Sequence, residues 1–482
     1  MATIKTTERL LKRVILSELF MPDGLAVTPL LSGAPGIGKT AICNAISKKL
    51  GGITFTVEGG SLKEGELPGL PKTSKNADGS EEMVFVPYHV ISKVQKLEKF
   101  IYQKALQGFK TNNIKLHEDG SISYELDNKE YIIPAKNEFE KIIDGEQNKY
   151  EFGSQLPAEV KLNLIKNKEI CPVVILLDEM NRTDVQTMKE FMNIILTKII
   201  NGYKLPWWAF FVAAINPATQ NSIYSVNEFD DAQIDRFLKI SVSVNFNEWI
   251  EYALNKRLNQ KYIQAMDQSV FIDSKSKIED EIEMRPTPRS HEICIYLYDA
   301  FETINKSGFF SAEELKDADS DLATLIRGKI GSSAGNAMVS KLNSASKLIP
   351  AESVINGKTP SISNELRDKI ENSETLVQKI LVTNVIDLIC TNYGKYYFTS
   401  SKPENKNTWE NICTQFAELI KILTPSIRVY FASQLIKSRF DIPEFKKQYE
   451  NNKEIPYYLL GKYFASDVLS QICDLKQGFS TK

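Results

Sequence analysis

Histidine and paired cysteine are scarce in this sequence of 482 residues, and their scarcity limits the chemistry open to it. Only three histidines are present, and none of the six cysteines belongs to a Cys-x-x-Cys pair. We therefore expect neither a zinc site nor a disulfide framework, and a reduced compartment fits best. The cysteines are Cys43, Cys171, Cys294, Cys390, Cys413 and Cys473.

The sequence also lacks a strong charge of either sign and any long hydrophobic run. Its net charge is −2 at pH 7, so the chain as a whole has no electrostatic footprint for nucleic acid or an anionic membrane. The longest apolar stretch, residues 207–215, is too short to span a bilayer. Residues 5–13 carry charges where a signal peptide needs an apolar run. We expect a cytoplasmic protein with no membrane-spanning segment.

Short apolar runs alternate with helical patterns along the first half of the chain. Continuous apolar runs of five or six residues are typical of strands buried in a parallel sheet. The alternation predicts the α/β class, with a doubly wound parallel sheet of five strands. We predict strands at 29–31, 53–57, 173–177, 210–215 and 240–244, and helices at 6–20, at 41–50 and from 185 onward.

The pattern divides the chain into three predicted parts. Residues 1–245 form the α/β part, which carries an insertion at 92–168 that is longer than one crossover between strands requires. Residues 246–345 and 346–482 read as mostly helical, and a Ser/Pro/Gly-rich stretch at 344–363 reads as a linker between them.

A glycine-rich loop follows the first predicted strand and matches the pattern G-x-x-x-x-G-K-[ST]. Its glycines let backbone N–H groups close around phosphates, Lys39 adds a positive charge, and the Thr40 hydroxyl suits Mg²⁺. We therefore expect ATP and Mg²⁺ as ligands, with the choice of ATP over GTP left open. The predicted binding residues are Gly33, Ala34, Pro35, Gly36, Ile37, Gly38, Lys39, Thr40 and Ala41.

Polar residues end the third and fourth predicted strands, at the edge of a parallel sheet where ligands bind. Asp178 is expected to hold Mg²⁺ through its waters, and Glu179 to orient and polarise an attacking water. Asn216 is placed to bond the γ-phosphate and that water, although taken alone it reads as an ordinary Asn-Pro turn.

The order of these motifs resembles that of the MoxR-like AAA+ ATPases, the branch with a hairpin inserted in the helix after the second strand. Residues 198–206 resemble the hairpin that such proteins carry before the fourth strand. The resemblance covers about 1–90 and 170–340, and the segments 65–71 and 328–331 resemble bacteriophage versions. The motifs that carry it are the glycine-rich loop, Asp178-Glu179-Met180-Asn181-Arg182, Asn216-Pro217, Asp235-Arg236-Phe237 and Pro288-Arg289.

The resemblance implies roles for four catalytic candidates and an assembly. Asn216 would be sensor 1 and Arg289 sensor 2, beside Glu179 as the catalytic carboxylate. Arg236 would be the arginine finger, reaching the nucleotide of a neighbouring subunit in a ring that is commonly a hexamer. Residues 246–345 would be the helical lid. Arg182 would lie near the same subunit interface, with no role assigned to it.

The resemblance also implies chaperone-like remodelling of a protein partner. Such ATPases often act with a partner that bears a von Willebrand A domain, and this chain has no Asp-x-Ser-x-Ser motif of its own. Two alternatives stay open, a DNA-directed motor or loader and a nucleotide-gated scaffold that hydrolyses little. Between residues 91 and 170, thirteen lysines face thirteen acidic residues, which gives no support to DNA binding. Intact Glu179, Asn216 and Arg236 argue against the scaffold.

Two features outside these motifs carry structural expectations only. Trp207 and Trp208 should pack at the base of the hairpin at 198–206, because large aromatic rings are more often packing groups than ligand platforms. His291 should lie on the surface of a helix rather than act in catalysis.

Overall fold

The computed structural model describes residues 2–22, 27–63, 65–67, 69–75, 81–136, 150–217, 229–266, 268–272, 284–344, 348–388 and 403–438. The strands are β1 (Thr28–Ser32), β2 (Ile53–Glu58), β3 (Leu70–Lys75), β4 (Glu81–Val86), β5 (Lys115–Leu116), β6 (Ile122–Leu126), β7 (Lys129–Ile133), β8 (Val173–Asp178), β9 (Ile199–Ile200), β10 (Tyr203–Lys204), β11 (Ala209–Ile215) and β12 (Phe237–Ser241).

The α-helices are α1 (Ile4–Ser17), α2 (Lys39–Lys49), α3 (His89–Gln107), α4 (Ala158–Lys166), α5 (Val185–Thr197), α6 (Asp231–Ile234), α7 (Phe246–Asn255), α8 (Gln260–Ala265), α9 (Gln268–Phe271), α10 (Pro288–Lys306), α11 (Ala318–Ile330), α12 (Ser332–Ser344), α13 (Ala351–Val354), α14 (Asn364–Glu371), α15 (Thr375–Leu388), α16 (Pro403–Ile422) and α17 (Pro425–Ser438). Within the described ranges, no helix combines the length and the apolar character needed to cross a membrane.

A five-stranded parallel sheet is the centre of the first of two compact units, which comprises Met1–Trp249 and Phe271–His291. The strand order is β12-β1-β11-β8-β2, and each neighbouring pair is parallel. The prediction of a five-stranded parallel sheet in an α/β protein is confirmed. The inner strands β1, β8 and β11 are buried along nearly their whole length, whereas the edge strands β2 and β12 are partly exposed. Burial on both faces explains why the inner strands read as continuous apolar runs.

The edge strand β12 begins and ends three residues earlier than the sequence predicted, at 237–241 instead of 240–244. Its register with β1 is the reason, because the pairing runs from Thr28 opposite Phe237 to Ser32 opposite Ser241 and uses all of β1. Arg236 therefore directly precedes the strand.

Alternate residues of the inner strands point to opposite faces of the sheet and build two apolar layers. Leu31 and Leu176 pack in one layer, together with buried side chains of α1 and α2. Leu30 and Leu177 pack in the other, together with α3, α5 and the inserted segment. Helices thus cover both faces of the sheet, as a parallel sheet requires.

The predicted insertion at 92–168 packs into the second of these layers over its described part. Phe109, Tyr124 and Phe152 belong to the same buried cluster as the inner strands. The insertion contains a hairpin that turns at Asp119-Gly120, because β5 and β6 pair antiparallel and Gly120 has φ +87° in the turn. Residues 137–149 of the insertion lie outside the described ranges.

The second predicted hairpin, at 198–206, consists of β9 and β10. Its turn residues Asn201 and Gly202 have φ of +47° and +78°, the pair of positive angles that a tight type I′ turn needs. Trp208 is 1% exposed, and the indole N–H of Trp207 donates to the Phe152 carbonyl at 2.8 Å. The expectation that both tryptophans pack at the hairpin base is confirmed.

The second compact unit, Ile250–Val270 with Glu292–Lys482, is helical in its described part. Helix α15 supplies much of its interior, including Leu381 and Val385. The stretch predicted as a linker is packed where it is described, since α13 buries Ala351 and Val354. The three-part division of the chain stays a prediction, and residues 439–482 lie outside the described ranges.

Candidate functional site

The carboxyl ends of β1, β8 and β11 meet at one edge of the sheet, and the segments that follow these strands form the candidate site. Neighbouring parallel strands end at the same edge, which is where ligands bind in sheets of this kind. The segment after β1 and the first turn of α2 hold the predicted binding residues Gly33, Ala34, Pro35, Gly36, Ile37, Gly38, Lys39, Thr40 and Ala41.

The loop between β1 and α2 depends on its glycines. Gly36 and Gly38 have φ of +75° and +98°, in the region that disfavours other residues. A Cβ on Gly36 would lie 2.9 Å from the Thr287 hydroxyl, and a Cβ on Gly33 would lie 2.5 Å from the Ile37 side chain. The loop leads directly into the N-terminus of α2, whose free N–H groups and dipole favour an anion.

Lys39 lies at the base of this loop and is only 7% exposed. Its ammonium donates to the carbonyls of Gly33 at 2.7 Å and Ala34 at 3.0 Å, and to Oδ1 of Asn216 at 2.7 Å. Burial lowers the pKa of Lys39 to about 8, while the negative charge of Asp178 partly opposes that shift. The structure thus joins the predicted binding lysine to the residue predicted as sensor 1.

Thr40 and Asp178 form the other direct link between the loop and the sheet. The Thr40 hydroxyl donates to Oδ2 of Asp178 at 2.7 Å. Within the described residues, no group of three or more His, Cys, Asp or Glu side chains is arranged to hold a metal. Magnesium in nucleotide sites needs only one or two protein ligands, because phosphate oxygens and waters supply the rest. A hydroxyl and a carboxylate side by side therefore fit the expected Mg²⁺.

Glu179 follows β8 in an unusual backbone conformation, with φ +51° and ψ +35°. Such a conformation costs a non-glycine residue about 1–3 kcal/mol and persists only where its surroundings hold it. The backbone N–H of Glu179 donates to Oδ1 of Asp178 at 3.0 Å, and its carbonyl accepts from the N–H of Arg182 at 2.8 Å. Arg182 Nη1 also donates to Oε2 of Glu179 at 3.0 Å.

Asn181 is a site residue whose role the sequence did not indicate. It is 4% exposed, and its side-chain N–H donates to the Asn216 carbonyl at 2.7 Å. It thereby ties the segment after β8 to the segment after β11. Its only signal in the sequence was its place within Asp178-Glu179-Met180-Asn181-Arg182.

Helix α10 begins at Pro288, and its first turn contacts the loop. The backbone N–H of Arg289 donates to the Gly36 carbonyl at 3.3 Å. The positive charge of Arg289 is near enough to Lys39 to favour its neutral form. Thr287 and Ser290 cap the helix reciprocally, each side-chain oxygen accepting from the other's backbone N–H at 3.0 and 2.7 Å.

Arg236 makes no hydrogen bond to the glycine-rich loop of its own chain in the part of the structure that is described. Among the described residues, its guanidinium makes one hydrogen bond, from Nη1 to the Met192 carbonyl on α5 at 3.0 Å. The structure thus brings Lys39, Thr40 and Asn216 together while leaving Arg236 elsewhere on the same unit.

His291 is buried, so the expectation of a helix-surface residue was wrong. Its ring stacks on Phe271 with centroids 5.9 Å apart and lies edge-on to Trp249 at 6.3 Å. Neither aromatic partner is near His291 in the sequence, and helical spacing alone therefore gave no indication of this packing.

Comparison with known proteins leaves this site to be judged on its geometry. No protein-family model matches the chain, and no curated protein matches it either. Among solved structures, the chain is similar to that titled "Structure of C. elegans PCH-2", with 12% identity over 71% of this chain and 68% of that chain. The TM-score is 0.23, which is too low to carry an argument.

Proposed function

We propose that this protein is an ATPase of the AAA+ type that hydrolyses ATP with Mg²⁺ at the interfaces between subunits of a ring. One observation carries the proposal, the convergence of three strand ends on the glycine-rich loop. Thr40 contacts Asp178 and Lys39 contacts Asn216, each at 2.7 Å, across 138 and 177 residues of sequence. Hydroxyl, carboxylate, ammonium and amide groups at one sheet edge are the set that nucleotide hydrolysis needs.

The glycine-rich loop, together with Thr40 and Asp178, would bind the nucleotide and its metal ion. The backbone N–H groups of the loop and the ammonium of Lys39 would bind the phosphates. Thr40 and Asp178 would hold Mg²⁺, which when bound neutralises charge on the phosphate oxygens. Lys39 and Thr40 would exchange these hydrogen bonds within the protein for bonds to the phosphates and to Mg²⁺.

Hydrolysis would proceed by attack of water on the γ-phosphorus. A new P–O bond forms to the water oxygen, the bond to the ADP oxygen breaks, and Glu179 accepts a proton from the water. Asn216 would hold the water and the γ-phosphate, and Arg289 would add positive charge. Arg236 would act on the nucleotide of the next subunit, where an arginine supplied in trans is worth about 10³- to 10⁵-fold in rate.

The work of the ring would be chaperone-like remodelling of a protein partner in the cytoplasm. The order of motifs, which is similar to that of the MoxR-like branch, supports this choice together with the hairpin β9–β10. A hexamer and a partner with a von Willebrand A domain belong to the same proposal. The DNA-directed alternative has no specific observation in its favour.

Two substitutions test the reaction. Lys39→Ala should abolish tight nucleotide binding, since it removes the buried ammonium. Glu179→Gln should bind ATP normally and lower the turnover by about 10²- to 10⁴-fold, the usual contribution of a general base. Binding would be measured with a fluorescent nucleotide and turnover by phosphate release. Lys48→Ala, on the exposed side of the same helix α2, is the matched control and should resemble the wild type. Turnover near wild type in Glu179→Gln would refute the assignment.

A further inference from the structure

We propose that Arg182 is the positioning residue for Glu179, holding one carboxylate oxygen so that the other faces the attacking water. The proposal rests on the proposed ATPase function and adds a residue to it. Arg182 Nη1 lies 3.0 Å from Oε2 of Glu179. No hydrogen bond from the described part of the chain reaches Oε1, which leaves that oxygen as the acceptor.

The turn that carries both residues fixes their spacing. Met180–Arg182 is a single 3-10 turn, closed by the bond from the Arg182 N–H to the Glu179 carbonyl. The Thr183 hydroxyl donates to the Met180 carbonyl at 2.8 Å and ends the turn. Asp184 then caps α5 through the N–H groups of Gln186 and Thr187. Arg182 is therefore held on a short rigid segment, as a residue that orients a neighbour must be.

The loop after β2 carries Gly59 and Gly60, which lie beside the Arg182–Glu179 pair and have no side chains. A Cβ on Gly60 would lie 3.6 Å from the Cβ of Arg182 and 3.8 Å from Oε2 of Glu179. A Cβ on Gly59 would clash with Thr183 at 2.8 Å and with the Glu179 carbonyl at 3.0 Å. Two consecutive glycines thus cover the pair without adding a side chain that would compete for the carboxylate.

The ion pair contributes little to folding, which points to a role in the reaction. The Arg182 and Glu179 side chains are 28% and 40% exposed, and pairs this exposed to solvent contribute little to stability. A restraint on rotation of the Glu179 side chain matters more, because misplacing a catalytic group by about 1 Å can cost about 10²-fold in rate.

The test separates positioning from structure by comparing turnover with binding. Arg182→Ala should lower kcat by about 10- to 100-fold and leave the Kd for ATP within about twofold of wild type. Arg182→Lys, which keeps the positive charge, should recover part of the loss. Arg257→Ala removes a guanidinium that pairs with Asp387 at 3.1 Å, and this control should leave both quantities unchanged. A kcat within twofold of wild type in Arg182→Ala, or a Kd that rises as kcat falls, would overturn the proposal.

A double substitution shows whether Arg182 acts through Glu179. In single-turnover experiments, adding Arg182→Ala to Glu179→Gln should slow the residual reaction by less than about twofold, because the carboxylate to be positioned is already gone. Equal losses in both backgrounds would mean that Arg182 acts independently. If Glu179→Gln itself retained wild-type turnover, the proposed function would fail first. If only Arg182→Ala retained it, the positioning role alone would fail.

Discussion

Lys39 is a cation placed where charge is costly, and that placement suits a site that must attract phosphate. Burial favours the neutral amine and lowers its pKa to about 8. The two loop carbonyls and the Asn216 amide oxygen that surround the ammonium offset only part of the lost hydration. A phosphate group would replace these neutral acceptors with charged ones, which form the stronger hydrogen bonds. Because burial disfavours the ammonium of Lys39 in the free protein, an anionic ligand that binds this ammonium is favoured over a neutral one.

Nucleotide affinity should consequently depend on pH in a predictable direction. Below pH 8 the free protein carries a protonated Lys39, and above it the ammonium must first be regained. We expect the affinity for ADP to be constant below pH 8 and to fall by up to tenfold for each pH unit above it. Titration with a fluorescent nucleotide between pH 7 and 9.5 measures this.

An arginine at the same position supplies the control for that titration. Lys39→Arg stays charged throughout the range, so whatever affinity it has should not fall in this window. A wild-type affinity that stays flat to pH 9.5 would contradict the assignment of Lys39 as the group that titrates.

Helix α3 and the hairpin β9–β10 are joined by a buried polar contact inside an otherwise apolar layer. Glu98 on α3 is 3% exposed and Tyr203 on β10 is 1% exposed, and the Tyr203 hydroxyl donates to Oε2 of Glu98 at 2.8 Å. Burial raises the pKa of Glu98 to about 7, opposed by the Tyr203 hydrogen bond and reinforced by the charge of Glu151. The contact therefore connects two separate elements through a carboxyl group that is partly neutral near pH 7.

Stability should fall with rising pH because of this one group. Between pH 4.5 and 7 the folded chain binds a proton at Glu98 that the unfolded chain has already lost, so unfolding becomes easier as pH rises through about 7. Glu98→Gln removes the titration and keeps the shape. It should be more stable than wild type by about 3 kcal/mol at pH 8, and the gain should shrink toward pH 5.

Urea unfolding midpoints of wild type and Glu98→Gln at pH 5 and pH 8 measure that difference. Tyr203→Phe is the matched control, since it removes the hydroxyl donor and leaves the carboxyl group to titrate. A gain from Glu98→Gln that is the same at both pH values would show that Glu98 does not titrate in this range.

The elements that the sequence predicted well are those whose causes are local. The inner strands β8 and β11 are buried on both faces, so their sequences are continuous apolar runs. Asn201-Gly202 is a dipeptide typical of tight turns, and it forms one here. The remaining features depend on partners distant in sequence. The bounds of β12 follow from its register with β1, and the burial of His291 follows from rings at 249 and 271.

The site divides in the same way. The glycine-rich loop and the acidic pair Asp178-Glu179 at the end of β8 were predicted because each is a short pattern with its own chemistry. The role of Asn181 could not be predicted in this way, since its partner Asn216 is 35 residues further along the chain and contacts it only at the edge of the sheet. The pairing of Arg182 with Glu179 also needed the structure, because an i, i+3 spacing within a loop does not fix which side chains meet.

At the scale of the whole molecule, the position of Arg236 is the feature that a single chain does not explain. Its guanidinium donates to the Met192 carbonyl on α5, and within the described ranges no hydrogen bond links it to the glycine-rich loop of its own chain. A residue that completes the site of an identical neighbour would be placed in this way. The contact would be heterologous, joining different surfaces of each copy, and would close into a ring if the rotation permits.

Mixing two inactive variants tests whether the site is shared. Arg236→Ala retains its nucleotide loop, Lys39→Ala retains its arginine, and each alone should be nearly inactive. In rings assembled at random from equal amounts, a functional interface needs one subunit of each kind in the correct order, which gives about one interface in four. Mixed samples should therefore recover up to about a quarter of the wild-type ATPase rate, with a maximum near equal amounts.

A control mixture and the mass of the assembled protein show how to interpret a mixture that recovers no ATPase activity. Lys39→Ala mixed with a chain that carries both substitutions has no way to form a complete site and should stay inactive at every ratio. The particle mass of Glu179→Gln with ATP and Mg²⁺ should rise to that of several subunits, about six if the ring is a hexamer. Rings that form yet recover no activity would mean that Arg236 does not act across the interface. A monomer under all conditions would instead mean that a shared site does not form, and the remodelling motor would lose its physical basis.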